Sequence, residues 1–206
     1  MHLHLVKALD EAAKAVGSTR PGDIGHDVQF YRTEAHLTRT VSDFLADGVR
    51  AGQPLIVIAT PAHRKAFAVE LHARGLDVEE LLSGREAIWL DARETLSMFM
   101  ESAHPSRDLF FATVGSVFEQ VLRKRHYLIV RAYGEMVDLL AQDGNLEGAI
   151  LLEQLWNELA AKYAYSLLCG YSLDNFLQEA GPAKLREVCK QHTHSRPLEP
   201  YSVASA

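Results

Sequence analysis

The stretch ATPAHRKA, residues 59–66, has the outline of a phosphate-binding loop between a strand and a helix. A working P-loop is rich in glycine, because its backbone N–H groups wrap a phosphate closely, and it carries a lysine and a magnesium-binding hydroxyl. Here Lys65 is kept, Ala66 stands where the hydroxyl belongs, and the stretch contains no glycine. We therefore predict no ATPase activity, with Thr60 and Lys65 retained as candidate ligand contacts.

Two charged residues stand in the apolar segment HYLIVRAYGEM, which predicts a strand. Arg131 is predicted to end this strand, at the carboxyl edge of the sheet, where a nucleotide hydrolase would carry a metal-binding aspartate, and Glu135 follows just after it. A buried charge is costly unless it is paired, so the two residues form a salt bridge with each other or contact a ligand. The planar guanidinium of Arg131 suits a carboxylate or a phosphate. Asp91 ends the preceding strand segment, AIWLDA. It is either a metal ligand or a helix N-cap or turn residue.

Further candidate ligand contacts lie at a strand and on one helix face. The segment HDVQFY begins with His26 and ends with Tyr31, which are either structural hydrogen-bonding residues or groups that face a ligand cleft. Glu153 and Asn157 share a helical face with Trp156 because of their spacing of three and four residues. The tryptophan is expected in the core, and its two polar neighbours are candidate site residues.

A soft sulfur and two imidazoles occur close together in CKQHTH, near the end of the sequence. Cys189, His192 and His194 could bind zinc, another transition metal or a haem, although no fourth ligand is near in sequence. The alternative is a set of ordinary surface histidines. Cys169 lies in the apolar segment SLLCGY, where a thiol usually behaves as a small hydrophobic group. We therefore expect no cofactor, with a metal or haem as the alternative.

Composition excludes several classes of protein. The chain has 206 residues, 48% of them hydrophobic and 23% charged, with a net charge of −6. An acidic chain offers no basic face for direct contact with nucleic acid. No apolar run approaches the roughly 20 residues that cross a bilayer, and the start does not resemble a secretory signal. Two cysteines are too few for a disulfide scaffold, so we expect a cytoplasmic protein with free thiols.

Strand and helix patterns alternate along the chain and predict an α/β fold with a mainly parallel sheet flanked by helices. The most apolar strand is PLIVIAT, which has the composition of a strand buried on both faces. We divide the chain into an amphipathic helix with its linker (1–25), a main domain (26–180) and a C-terminal helix and tail (181–206). The first helix packs on its own domain or serves as a contact in a homo-oligomer.

Several segments, in order, resemble the MEDS domain, the methanogen and methylotroph, DcmR-type sensory domain. They include HDVQFYRTEAHL, AGQPLIVIATPAHRKAF, LDARETLSMFM, VRAYGEMVDLL and LEQLWNELAAKYAYSLLCGY, and span about residues 26–180, with a further similar segment, CKQHTH, in the tail. The resemblance implies a RecA/KaiC-like fold that has lost its P-loop chemistry, so that residues 59–66 would be a degenerate phosphate loop. It also implies a sensor of small molecules found in transcriptional regulators and histidine kinases.

The expected function is therefore a non-catalytic sensory domain that binds a small molecule at the carboxyl edge of the sheet, where open α/β sheets bind ligands. The output would pass to a partner such as a kinase, a sigma-factor regulator or a DNA-binding protein. One alternative is a nucleotide-binding domain without hydrolysis that uses Lys65 and Arg131. Another is a metal- or haem-dependent sensor that uses the Cys/His cluster. We further expect Arg131 to share one cleft with at least one of His26, Glu135 and Asn157.

Overall fold

The computed structural model describes residues 24–123, 129–177 and 181–196. Six strands form one sheet in which every neighbouring pair is parallel, in the order β3-β2-β6-β7-β1-β8. This arrangement confirms the predicted α/β class with a parallel sheet. The strands are β1 (Gly25–Tyr31), β2 (Leu55–Ala59), β3 (Ala87–Asp91), β6 (Val130–Gly134), β7 (Tyr165–Ser172) and β8 (His194–Ser195), and a separate antiparallel pair consists of β4 (Met100–Glu101) and β5 (His104–Pro105).

Helices cover both faces of the sheet and produce two hydrophobic cores. Successive side chains of a strand point to opposite faces. Val28 and Phe30 therefore join the core under α5 to α7, while Val57 and Leu168 join the core under α1 and α2. The helices are α1 (Glu34–Arg50), α2 (Pro61–Ala73), α3 (Val78–Ser83), α4 (Ala92–Ser97), α5 (Arg107–Leu122), α6 (Met136–Gln142), α7 (Leu146–Leu159) and α8 (Gly181–Lys190), with a 3-10 turn at Leu173–Phe176.

Side-chain caps fix where helices begin after the strands. The Thr33 side chain accepts a hydrogen bond from the N–H of His36, and Thr60 caps α2, with Pro61 in the first turn. Asp91 accepts from the backbone N–H of Glu94 at 3.0 Å and so caps α4. The interpretation of Asp91 as a helix N-cap is therefore confirmed. These caps place the start of each helix at the carboxyl edge of the sheet.

The position of Arg131 differs from the sequence-based expectation. Arg131 is the second residue of β6, pairs with Leu55 at the beginning of β2 and donates its backbone N–H to the carbonyl of Pro54. It therefore lies near the amino edge of the sheet, and the prediction that it ends the strand at the carboxyl edge is wrong. Glu135 does follow the last residue of the strand, Gly134. The parallel register of β6 against β2 sets the position of Arg131 along the sheet, and the apolar composition of the segment does not encode that register.

The segment that follows α8 is attached to the edge of the sheet through β8. Thr193 and Arg196 donate backbone N–H groups to the carbonyl oxygens of His26 and Val28. Among the residues described, no helix has both the length and the apolar character that a membrane crossing requires. The predicted helix at residues 2–16, its proposed role in self-association, and the tail after residue 196 lie outside the described residues.

Candidate functional site

Polar side chains converge at the carboxyl edge of the sheet, around the buried carboxylate of Glu135. This side chain is 3% exposed. It accepts hydrogen bonds from the backbone N–H of Thr60, at the start of α2, and from the hydroxyl of Tyr133 at 3.2 Å. The ring Nδ1 of His63 lies 2.5 Å from the same carboxylate. An internal carboxylate therefore occupies the anion-binding position that the N-terminus of a helix provides.

His63 links Glu135 to a second, exposed carboxylate. Its Nε2 atom contacts the carboxylate of Glu34, the first residue of α1. The His63 side chain is 15% exposed and that of Glu34 is 71% exposed. Burial lowers the pKa of His63, but the hydrogen bonds and charges of Glu135 and Glu34 outweigh this effect and raise it to about 9. His63 is therefore an imidazolium at neutral pH, between one buried and one solvent-facing anion.

Tyr31 belongs to a neighbouring network centred on Asp138. The tyrosine hydroxyl donates to Asp138 at 2.8 Å, and Asp138 also accepts from the backbone N–H of Ser172 at 2.8 Å. The side-chain amides of Gln142 and Asn175 donate to the same carboxylate. Burial raises the pKa of Asp138 to about 6, and the hydrogen bonds oppose that shift. This network joins the ends of β1 and β7 to α6, so Tyr31 contributes to the rigidity of the edge.

A shallow groove of about 580 Å³ runs between α1 and α2 beside His63. Glu34 and Lys65 both line it, and its floor includes the 65% exposed Val69. Lys65 and Arg39 have no hydrogen bond or ion pair within the part of the chain that the structure describes. The groove therefore combines an apolar floor with two available cations. The residues that line it are Glu34, Ala35, Thr38, Arg39, Lys65, Ala66, Val69 and Glu70.

A second polar cluster is buried under α7, on the opposite face of the sheet. It contains His26, Glu153, Cys169 and His192, whose potential ligand atoms all lie within 4.8 Å of one another. Burial would raise the pKa of Glu153, but His192 and His26 hold it well below its usual range. Burial and the Glu153 charge raise the pKa of the Cys169 thiol well above its usual range. Glu153 also accepts from the hydroxyl of Tyr171 at 2.9 Å.

The sequence model of one protein family matches residues 25–193. That family is MEDS, described as the MEthanogen/methylotroph, DcmR Sensory domain. The chain belongs to the MEDS family. The match covers both polar clusters and ends one residue before β8. MEDS is a sensory domain family, which is consistent with a sensory or regulatory role. The chain matches no curated protein.

The MEDS domain does not collect all the predicted ligand-binding residues in one place. Thr60 and Glu135 meet at the carboxyl edge, with Tyr31 in the adjoining network and Lys65 in the groove nearby. The other candidates, His26, Glu153 and Asn157, lie together under α7. The prediction of one cleft shared by Arg131 with Glu135, His26 or Asn157 is therefore wrong. Its residues belong to three separate environments.

Arg131 is enclosed on the α1 face of the MEDS domain. Its Nε atom donates to the side chain of Gln53 at 2.9 Å, and its guanidinium lies 4.5 Å from the ring centroid of Phe44. A Cβ atom on Gly48 would stand 2.8 Å from the Cγ of Arg131. Arg131 and Lys65 are therefore held at opposite edges of the sheet. The arrangement does not support the alternative of a nucleotide site that uses both residues as phosphate contacts.

The separation of Arg131 from Glu135 predicts additive effects on stability. Among the described residues the two share no partner, and the three strand residues between them place them roughly 13 Å apart. We expect the losses of unfolding free energy in Arg131→Met and Glu135→Gln to add in the double variant within about 0.5 kcal/mol. Denaturant unfolding of the four proteins measures the coupling. A coupling energy well above about 1 kcal/mol would mean that the two side chains interact.

The predicted metal ligands also separate in the MEDS domain. His192 reaches the buried cluster, whereas His194 contacts Asp27 at 3.2 Å and Cys189 lies in α8 outside the cluster. The set Cys189, His192 and His194 is therefore wrong as a common metal site. Cys189 lies within α8, His192 follows the end of that helix at Lys190, and His194 lies in β8, so the three side chains diverge.

Sequence reasoning missed two residues that organise the carboxyl edge. His63 lies inside the P-loop-like stretch, and a phosphate loop has no functional histidine at that position. Asp138 lies in the first turn of α6, and an acidic residue in the first turn after a buried strand is a usable signal for such a site. Cys169 was considered, but its contacts with His26 and Glu153 join residues 143 and 16 positions away, which no local pattern reveals.

Proposed function

We propose that this MEDS domain is a non-catalytic sensory domain that binds a small carboxylate at His63 and signals to a partner protein in transcriptional or two-component regulation. The observation that carries the proposal is the imidazolium of His63 between buried Glu135 and exposed Glu34. Exposed ion pairs are weak, so Glu34 is the exchangeable member of this arrangement. A ligand carboxylate would take its place on Nε2.

The groove beside His63 supports a ligand with an apolar body. Such a ligand would lie over Val69 and the neighbouring alanines, with Lys65 and Arg39 near its charged end. A phosphate group fits the proposal less well. The backbone N–H of Thr60, which a phosphate loop would offer to its ligand, is already bonded to Glu135. The ligand class we favour is therefore a short-chain carboxylate rather than a nucleotide.

The RecA/KaiC-like relationship is part of the same proposal. A parallel sheet with helices on both faces is consistent with it, and residues 59–66 would be a degenerate phosphate loop in which an internal carboxylate has replaced the phosphate. Such a loop would retain anion recognition through His63 and Lys65 while lacking the groups for hydrolysis. The domain would thus use the former phosphate-binding position to recognise a carboxylate ligand.

Signal output would follow from the release of Glu34. This residue begins α1, and its contact with His63 connects the starts of α1 and α2. A bound carboxylate would free Glu34 and shift the domain between two arrangements of the exposed surface around these helix starts. The affinity for a partner that prefers one arrangement would then depend on whether the ligand is bound. Such a partner would be a kinase, a sigma-factor regulator or a DNA-binding protein.

Ligand binding can be tested with acetate, butanoate and hexanoate, compared with ATP and GTP, on the purified chain. We expect hexanoate to raise the melting temperature in a saturable manner and the nucleotides to have no such effect. The His63→Gln variant should lose the response. The matched control is His72→Gln, which changes an exposed histidine in the last turn of the same helix and should retain the response.

The Glu34→Gln variant should change hexanoate binding in the opposite direction from His63→Gln. Removal of the competing carboxylate should tighten hexanoate binding by about two- to fivefold, because an exposed ion pair contributes up to about 1 kcal/mol. Isothermal titration calorimetry measures the change. Nucleotide binding without carboxylate binding, or unchanged hexanoate affinity in His63→Gln, would overturn the proposal.

A further inference from the structure

The buried cluster under α7 brings together four side chains that typically ligate transition metals. His26 comes from β1, Glu153 from α7, Cys169 from β7, and His192 from the segment after α8. All four are buried, and among the described residues they form the one such group of three or more. The cluster is distinct from the His63 site, which lies at the carboxyl edge of the sheet.

Hydrogen bonds determine which ring nitrogen of each histidine carries a proton. The Nδ1 of His192 lies 2.7 Å from the carbonyl oxygen of Val188, which only accepts, so this nitrogen is the donor. The Nδ1 of His26 lies 3.0 Å from Oδ1 of Asn157. The Asn157 amide is oriented by its own donation to the carbonyl of Gln191 at 2.9 Å, so its oxygen faces His26. Each neutral ring therefore presents an unprotonated Nε2.

Both Nε2 atoms point at the carboxylate of Glu153. The Nε2 of His26 lies 3.1 Å from Oε2, and the Nε2 of His192 lies 3.3 Å from Oε1. The His192 side chain is 0% exposed, and its Nε2 is a buried atom without a hydrogen-bond partner. Nitrogen lone pairs that face a carboxylate in a buried site repel it unless a cation lies between them. A proton on each ring would instead place two positive rings with centroids 4.2 Å apart.

The spacing of three donor atoms, from His26, Glu153 and Cys169, is close to that around a tetrahedral ion, and His192 completes a set that lies within 4.8 Å. Zinc bonds of about 2.0–2.3 Å place tetrahedral ligand atoms about 3.3–3.7 Å apart. The Sγ of Cys169 lies 3.3 Å from Nε2 of His26 and 3.4 Å from Oε2 of Glu153. The carbonyl partners of both Nδ1 atoms match the outer contacts that ligating histidines usually make. We propose that His26, Glu153, Cys169 and His192 bind one zinc-like transition-metal ion. A haem does not fit among side chains this close together.

The ion would also attach the C-terminal segment to the core. His192 is the one ligand contributed by residues 181–196, and its neighbour Thr193 donates both its N–H and its hydroxyl to the carbonyl oxygen of His26. A bound metal would stabilise this attachment, because an ion that binds only the folded state raises stability by mass action. Metal loading and the position of α8 and β8 would therefore be coupled.

Cobalt substitution tests the site directly. The purified chain is stripped with a chelator and titrated with Co²⁺ under anaerobic conditions with a thiol-free reductant. We expect one Co²⁺ per chain, the intense visible bands of four-coordinate cobalt and a thiolate-to-cobalt charge-transfer band. Zn²⁺ should displace the cobalt stoichiometrically. Since this spectrum is recorded on the natural sequence, it does not depend on whether a variant folds.

Matched variants assign the ligands. Cys169→Ser should lose the charge-transfer band, while Cys189→Ser, which changes the other buried cysteine, should retain it. His192→Gln should weaken binding by at least about tenfold, and His194→Gln should not. Asn157→Ala should weaken binding by about 10–100-fold through the outer contact. A six-coordinate or absent cobalt spectrum in the natural chain, or a charge-transfer band that survives in folded Cys169→Ser, would overturn the proposal.

Discussion

Replacement of Glu153 by alanine is expected to lower the free energy of unfolding by about 3–5 kcal/mol, measured with a chelator present. Glu153 is 0% exposed and accepts a hydrogen bond from the Cys169 thiol at 3.4 Å, so its removal leaves a cavity and a buried donor without an acceptor. The hydroxyl of Tyr171 loses its acceptor as well. Urea unfolding followed by circular dichroism provides the measurement.

The matched control is Glu158→Ala on the same helix. Glu158 is 46% exposed, and its ion pair with Arg107 is on the surface, so its loss should change stability by less than about 1 kcal/mol. Glu153→Gln should lie between the two, because an amide still accepts from Tyr171 while the charge is lost. Equal small losses in Glu153→Ala and Glu158→Ala would contradict the description of the buried cluster.

The stability of the domain should fall as the pH rises from about 6.5 to 9. The neighbouring carboxylates Glu135 and Glu34 raise the pKa of His63 to about 9 from an unfolded value of 6.5. A group with a raised pKa contributes its full stability below the unfolded pKa and loses it as the pH passes the folded pKa. The shift corresponds to about 3 kcal/mol, reduced toward 2 kcal/mol because exposed Glu34 is screened by solvent.

The His63→Gln variant should lose this pH dependence. Between pH 7 and 9 its unfolding free energy should vary much less than that of the natural chain, while His72→Gln should behave like the natural chain. Asp138 titrates below this window, since its pKa is raised to about 6, and burial and nearby carboxylates raise the pKa of Tyr133 well above its usual range. A slope that persists in His63→Gln would assign the effect to another group.

Local sequence patterns predicted the elements of this fold well. The segment PLIVIAT becomes β2 because a central parallel strand is buried on both faces and needs apolar residues at every position. Thr60 and Pro61 encode the start of α2 through the cap and the first-turn proline. Asp91 encodes the start of α4 in the same way. Each of these signals is complete within a few residues of the chain.

The sites were less predictable because they depend on register and on distant contacts. Arg131 sits in an apolar segment whose composition does not indicate which residue pairs with Leu55. His192 meets His26 across 166 positions of sequence, after the chain has crossed the whole sheet. Spacing on one helix did place Glu153 and Asn157 on a common face, as both contact His26. Residues from other elements complete that cluster.

The central claim is that a small carboxylate binds at His63, and histidine-ring NMR during a hexanoate titration tests it most directly. The His63 resonances, assigned by their loss in His63→Gln, should move saturably as Glu34 is exchanged for the ligand. The resonances of His72 and His104, which lie outside the groove, should stay in place. Saturable hexanoate binding that leaves His63 unperturbed, or no saturable binding at all, would contradict the account.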